Sequence, residues 1–328
     1  MLNRRTLIAG ATGAVAVSGE ALAAGRERGV LTAADVHRDG YPTVQAVKWM
    51  GAEIERATGG RLKIRSYHSG QLGSEDDSVG LARFGGIDLC RINMAAVNNA
   101  FPATSVLSMP YVFNDVAHMR RALDGPVGRA VLASFEQRGL VGLALYDAGA
   151  RCFYNVRRPI RTPQDLRGLK IRVPASDMFL RTVGALGANA TPLPFGATFS
   201  ALQTHLIEGA ENNWPSFEST RHFEVARYWS QTEHSFSPEA LLMSKRRFMA
   251  MTPADRELMV QTAQRSVPVM RAAWDTMEAE SRAKVLSAGV RFNAVDKAAF
   301  KRAAAPVKAH YLRNDTVAAL YKQISAVA

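Results

Sequence analysis

At 328 residues, 47% hydrophobic and 21% charged, the chain has material for two α/β lobes of roughly 100–150 residues each, and its composition excludes a disordered or fibrous protein. The net charge of +12 admits an acidic partner. It does not suggest nucleic acid: Arg120-Arg121, Arg157-Arg158 and Lys245-Arg246-Arg247 are short clusters without interleaved aromatics.

The first predicted element, residues 1–25, is an export signal. Arg4 and Arg5 precede an apolar stretch from Leu7 to Val17, and Ala21-Leu22-Ala23-Ala24 ends it with small residues. The stretch falls short of the ~20 residues that span a bilayer. The paired arginines of Asn3-Arg4-Arg5-Thr6-Leu7-Ile8 suggest the twin-arginine route. Removing Arg4, Arg5 and Glu20 takes the charge from +12 to +11, and no later run reaches membrane-spanning length, so the mature chain is expected in the periplasm and not itself spanning a membrane.

Val44, Val47, Met50, Ile54 and Ala57 recur every three to four residues between Pro42 and Gly59-Gly60, which predicts an amphipathic helix over 41–58. Arg61 to Tyr67 alternates as a strand does. A helix from about Glu75 to Phe84 and a strand from Ile87 to Arg91 follow, the alternation of a largely parallel sheet. Leu140 to Tyr146 reads as a strand leaving the first lobe. Leu169 to Val173 is a strand, Asp177 to Gly187 a helix, and Phe195 to Ile207 another helix ending at Glu208-Gly209. Leu81–Asp88 and Leu202–Glu208 share a helix-into-strand pattern, which fits two lobes of similar build. Thr252-Pro253-Ala254-Asp255 caps a helical pattern running to about Ala288. Such a helix reaches about 50 Å, enough to run along both lobes, and Pro268 is expected to kink or split it.

No GxSxG, HExxH, CxxC, Walker loop or strand-following GxGxxG occurs, so no catalytic residue and no cofactor is expected. Histidines at 37, 68, 118, 205, 222, 234 and 310 lack ligand spacing, so no metal is expected either. Three arginines stand out instead. Arg172 lies between the apolar Ile171 and Val173, on the strand face it shares with Lys170. Arg151 follows the small-residue crossing Asp147-Ala148-Gly149-Ala150, and Arg91 ends an apolar strand. Any one of them could be a surface cation. Three at strand ends, with the polar run Glu211-Asn212-Asn213-Trp214, point to an anionic ligand beyond the carboxyl ends of the strands. Cys90 and Cys152 adjoin Arg91 and Arg151, so strand alternation turns each sulfur to the back of its own lobe and predicts two unpaired thiols.

These residues sit in segments that resemble a known family. Tyr41-Pro42-Thr43 after Asp35 and His37, Tyr67-His68-Ser69-Gly70-Gln71-Leu72-Gly73, Leu107-Ser108-Met109-Pro110-Tyr111-Val112-Phe113, Asp165-Leu166-Arg167-Gly168-Leu169-Lys170-Ile171-Arg172-Val173 and Glu211-Asn212-Asn213-Trp214-Pro215-Ser216 look like the substrate-binding proteins of TRAP (tripartite ATP-independent periplasmic) transporters, DctP type. The resemblance spans essentially the whole mature chain. It implies an α/β, two-lobed periplasmic binding protein of type II, with crossing strands and a long lobe-spanning helix. Residues 26–148 plus about 237–280 would form the first lobe, and 149–236 plus about 281–328 the second, with the ligand cleft between them. It also implies membrane transporter subunits as partners.

By the same resemblance Arg172 receives a ligand carboxylate in a fork-to-fork pair, a role guanidinium suits because two parallel donors match two oxygens. Arg151 would be a second carboxylate contact, with Asn212 and Asn213 beside it. The subgroup resembled most binds uronic and related sugar acids, whose hydroxyls His37, Glu75 and Arg91 would meet; a linear keto- or dicarboxylate is the alternative. His37 could also be a capped loop histidine, Glu75 a helix N-terminal charge, and Trp214 lobe core in place of a sugar-stacking ring. His205, where the family commonly has Gly, and Glu208, where Asp is usual, depart from the pattern.

Overall fold

The computed structural model describes residues 29–327. The expected export signal with its twin arginines lies outside them. In chain order the strands are β1 Val30–Ala34, β2 Lys63–Tyr67, β3 Leu89–Asn93, β4 Leu140–Tyr146, β5 Arg151–Asn155, β6 Lys170–Val173, β7 Asn189–Pro192, β8 Gly209–Asn212, β9 Tyr228–Ser235, β10 Glu239–Ser244 and β11 Arg291–Asn293. They form two sheets, β2-β1-β3-β10-β4 and β11-β9-β5-β8-β6-β7.

Both sheets are parallel apart from one intruding strand. β10 runs antiparallel to β3 and β4, and β5 antiparallel to β8 and β9. Each intruder has just crossed from the other lobe, which reverses its direction. Read from its far end, β7-β6-β8-β5-β9 repeats the order β2-β1-β3-β10-β4. The echo between Leu81–Asp88 and Leu202–Glu208 therefore falls at equivalent places: each segment leads into the third strand of its lobe, β3 or β8. The central strands β4 and β10 are buried and mostly apolar where helices cover them. Leu31, Leu89, Leu143 and Leu241 pack under helix Pro42–Ala57 and the long helix in one cluster, while Cys152, Trp214, Phe217 and Trp229 form another behind the second sheet.

Residues 147–150 and 236–238 make two of the crossings, and helix Pro253–Ser287 makes the third. That helix runs 35 residues with Pro268 inside it and is not split. Proline in a helix interior costs about 3 kcal/mol. Here Met259, Ala263, Val267, Met270 and Trp274 are all buried along one side, and their packing outweighs that cost. Gly149 takes φ +63°, and a Cβ there would lie 2.9 Å from Trp274 Cζ2, so the first crossing passes directly beneath the long helix.

Three expectations change. The Phe195–Ile207 helix shrinks to Thr198–Gln203, because His205 turns to φ 57° and ends it. The 87–91 strand sits two residues later, at Leu89–Asn93. The assignment of 281–328 wholly to the second lobe fails at its end. Helix Lys297–Tyr311 does pack on Asp177–Ala185, but helix Asp315–Ala326 returns to the first lobe, where His118 Nε2 meets the Ile324 carbonyl at 2.9 Å. An amphipathic pattern states which face is buried and not which lobe buries it. Cys90 and Cys152 are both free and buried, facing opposite cores as alternation required.

Candidate functional site

The second lobe's wall is set by strand ends. Arg172, third residue of β6, is 4% exposed, whereas Lys170 on the same face stays in solvent. Its Nε and Nη2 both donate to the Leu193 carbonyl, at 2.9 and 2.7 Å. It forms no ion pair among the described residues. Burial pulls its pKa below the usual guanidinium value; the nearby Glu211 carboxylate partly offsets that, and the Arg151 charge adds to it. A buried cation is costly without a close counter-charge, and Glu211, whose charge favours it, is already gripped by Arg151.

Arg151, which opens β5, is compensated. Its Nε and Nη2 grip both carboxylate oxygens of Glu211 at 2.6 and 2.8 Å, and Nη1 reaches Asn212 Oδ1 at 3.2 Å. Burial alone would raise the Glu211 carboxyl, but Arg151 and His234 hold it down to about 2. Asn212 ends β8, its Oδ1 also accepting from the Asn213 backbone N–H at 2.9 Å. That leaves its amide nitrogen as the donor it can offer. Asn213 does not reach the cleft. Its side chain donates to the Ala148 carbonyl and accepts from Ser216 N–H at 2.8 Å, capping helix Trp214–Ser219. The expected ligand role for Asn213 is corrected to a structural one: strand alternation turns it away from the face Asn212 presents to the cleft.

The first lobe's wall has the opposite character. Arg91, third residue of β3, lies among three carboxylates: it bonds Asp35 Oδ1, meets Glu75 Oε1 at 2.8 Å and Glu239 Oε2 at 3.2 Å. Glu75 is the first residue of helix Glu75–Phe84, whose Ser74 N-cap and Asp77 form a reciprocal capping box. Its Oε1 also accepts from Asn93 N–H at 2.8 Å, so the carboxylate is more than a helix-dipole charge. His37 is held by Asp35, which accepts its backbone N–H at 2.8 Å, and stacks on Tyr41 at 3.7 Å between ring centres. Burial and then Arg91 lower the His37 pKa to about 3, leaving a neutral imidazole. Burial raises the Glu239 carboxyl, partly offset by Arg91. His37 Nδ1, Arg91 Nε and Glu239 Oε2 are buried with no hydrogen-bond partner among the described residues.

Arg172, Arg151, Asn212, Arg91, Glu75 and His37 thus line one pocket, with Glu239, Phe195, Ser216, Asn93, Val36 and Pro174. The walls touch: Tyr41 Oη is 3.1 Å from Ser216 Oγ, and Phe195 meets the His37 ring edge-on at 5.2 Å. Sequence reasoning missed Glu239 and Phe195. No motif flags them; Glu239 is visible only as the first residue of a strand that has just crossed between lobes. Trp214 is core, stacked on Trp229 at 3.6 Å. Among the described residues no cluster of His, Cys, Asp and Glu could hold a metal ion, and no helix is long and apolar enough to cross a membrane.

Similarity to known proteins agrees with this geometry. A solute-binding protein of Chromohalobacter salexigens is 35% identical over 274 residues, 83% of this chain and 82% of its own length. A TRAP periplasmic solute-binding protein from Xanthobacter autotrophicus Py2, solved with bound β-D-galacturonate, superposes with a TM-score of 0.89 at 44% identity, covering 90% of this chain and 99% of that one. One from Roseobacter denitrificans, solved with bound β-D-glucuronate, superposes at 0.88 with 38% identity, over 90% of this chain and 99% of that one. The family model of bacterial extracellular solute-binding protein family 7, DctP, matches residues 33–314. With that match running through both lobes and every strand that builds the cleft except part of β1, the chain belongs to the DctP family of TRAP solute-binding proteins.

Proposed function

We propose that this chain is a periplasmic receptor that clamps a sugar acid of the glucuronate or galacturonate type by its carboxylate and delivers it to the membrane subunits of a TRAP transporter. The observation that carries the reading is Arg172: buried, charged and in no ion pair among the described residues, its guanidinium held only by the Leu193 carbonyl. A ligand carboxylate supplies what it lacks, through the guanidinium edge that Leu193 does not occupy. Asn212 and the Nη1 of Arg151 stand beside it, while His37, Glu75 and Arg91 meet hydroxyls from the opposite wall. Relatives that bind the two hexuronates support the ligand class. Residues 1–25 act in this reading as the twin-arginine export signal, and the function is binding without turnover. Closure of the lobes on a ligand that contacts both is what gives it the differential affinity to shift open to closed.

The test is a thermal-shift screen of the mature protein with glucuronate, galacturonate and their neutral parent sugars, alongside Arg172→Ala. A ligand at a hundredfold excess over its Kd adds about 2.7 kcal/mol to stability. The uronates are expected to raise Tm and the neutral sugars not. Arg172→Ala should fold normally and bind at least about 150-fold more weakly, as removal of a buried charge-assisted pair costs about 3–5 kcal/mol. Binding kept within tenfold by the variant would reject Arg172 as the anion site; a sugar acid converted to product would reveal an enzyme.

A further inference from the structure

The two walls of the cleft are charge-inverted copies of each other. β3 and β8 are the third strands of their lobes, and β10 and β5 the intruding strands beside them. Position three of β3 is Arg91, and position three of β8 is Glu211. Position one of β10 is Glu239, and position one of β5 is Arg151. The ion pairs formed, Arg91–Glu239 and Glu211–Arg151, occupy equivalent places with the signs exchanged. The remaining charges accentuate the difference: Asp35 and Glu75 add to the acidic side, Arg172 to the basic one. Asp76, next to Glu75 at the cleft mouth, adds another acid. His37 brings no charge to the wall.

We infer, building on the receptor reading above, that Glu75 and Glu239, with Asp35 behind them, form a charge filter that admits singly charged hydroxy acids and rejects ligands bearing a second anionic group at the far end. Arg91 cannot rescue such a group, since three carboxylates already share its guanidinium. Glu239 Oε2, 3.2 Å from Arg91 Nη1, accepts no hydrogen bond among the described residues and has room for a donor, which a ligand hydroxyl supplies and a carboxylate does not. At an effective dielectric of about 20 and a separation of about 6 Å, each net negative charge on the wall weakens a second ligand anion about a hundredfold. The wall thereby decides between a uronate and the corresponding aldarate, which differ by the oxidation of one terminal carbon.

Calorimetric titration with glucuronate, glucarate and gluconate tests this in the native chain and in Glu75→Gln and Glu239→Gln, isosteric changes that each remove one carboxylate. Native protein is expected to bind glucarate at least a hundredfold more weakly than glucuronate. Gluconate, open-chain and singly charged, should bind more tightly than glucarate. Whichever variants fold, as judged by a cooperative melt, should narrow the glucuronate-to-glucarate ratio at least tenfold, even where glucuronate itself binds less well. Glucarate within tenfold of glucuronate, gluconate no better than glucarate, or a ratio unmoved in the variants would overturn the filter while leaving the receptor reading in place. Failure of glucuronate and galacturonate alike to bind in the thermal-shift screen would take down the receptor reading, and the filter with it.

Discussion

His205 occupies a left-handed backbone position, φ 57°, at the turn between Gln203 and β8. An L-residue pays roughly 1 kcal/mol there that glycine does not. His205→Gly is accordingly expected to raise stability by about that amount, visible as a higher denaturant midpoint at unchanged slope; an unchanged or lower midpoint would mean the imidazole makes up the strain. The same residue shows how a local departure becomes readable: the resembled family's glycine marks a turn whose need for positive φ the single sequence does not announce. Arg172 was legible because a charged residue between two apolar strand positions has few ordinary explanations. Glu239 was not, because a lone glutamate after Ser237-Pro238 matches any loop end. Asn213 was misread because adjacency in sequence suggested shared orientation, and a cap had the stronger claim on its side chain.

Among elements, the first crossing is the one with least room. Gly149 combines a positive φ with a virtual Cβ 2.9 Å from Trp274 Cζ2, an aromatic fixed in the core that cannot give way easily. Gly149→Ala should therefore destabilise by about 1–3 kcal/mol, lowering Tm in a calorimetric scan; a native Tm would mean the long helix slides to admit the methyl. Helices with one apolar face, such as Pro42–Ala57 and Glu75–Phe84, could be read to within a residue or two because periodicity and caps agree. β9 and β10 were not read: β10 is buried throughout and carries no alternation, and the polar half of β9 does not read as an apolar strand. Pro268 shows the opposite case: of the kink or split expected there, the split does not occur, because packing along the helix holds it as one element.

At the scale of the whole molecule, buried neutral histidines set the response to acid. His37 and His222 each have their pKa lowered from 6.5 to about 3, chiefly by burial. Between those values the unfolded chain holds protons the native state does not, so stability is full above pH 6.5 and is lost as pH falls toward 3. From pH 6.5 to 5 the loss is about 2 kcal/mol per histidine. Glu211, held down to about 2, adds a further loss below 4.5. Glu239, Asp147 and Glu278 work the other way, because burial raises their carboxyls and the native state takes those protons first. The histidines are expected to dominate, so Tm should fall between pH 7.5 and pH 5; an equal or higher Tm at pH 5 would show the acids prevailing.

The repeated strand order has one more consequence. A cleft made of two identical halves would accept a ligand equally well either way round, and the complex would be a mixture of two poses. Exchanging the signs of the Arg91–Glu239 and Glu211–Arg151 pairs removes that degeneracy without disturbing the backbone symmetry. Cargo with an acid at one end is held with a single polarity, so whatever takes it over always meets the same end first.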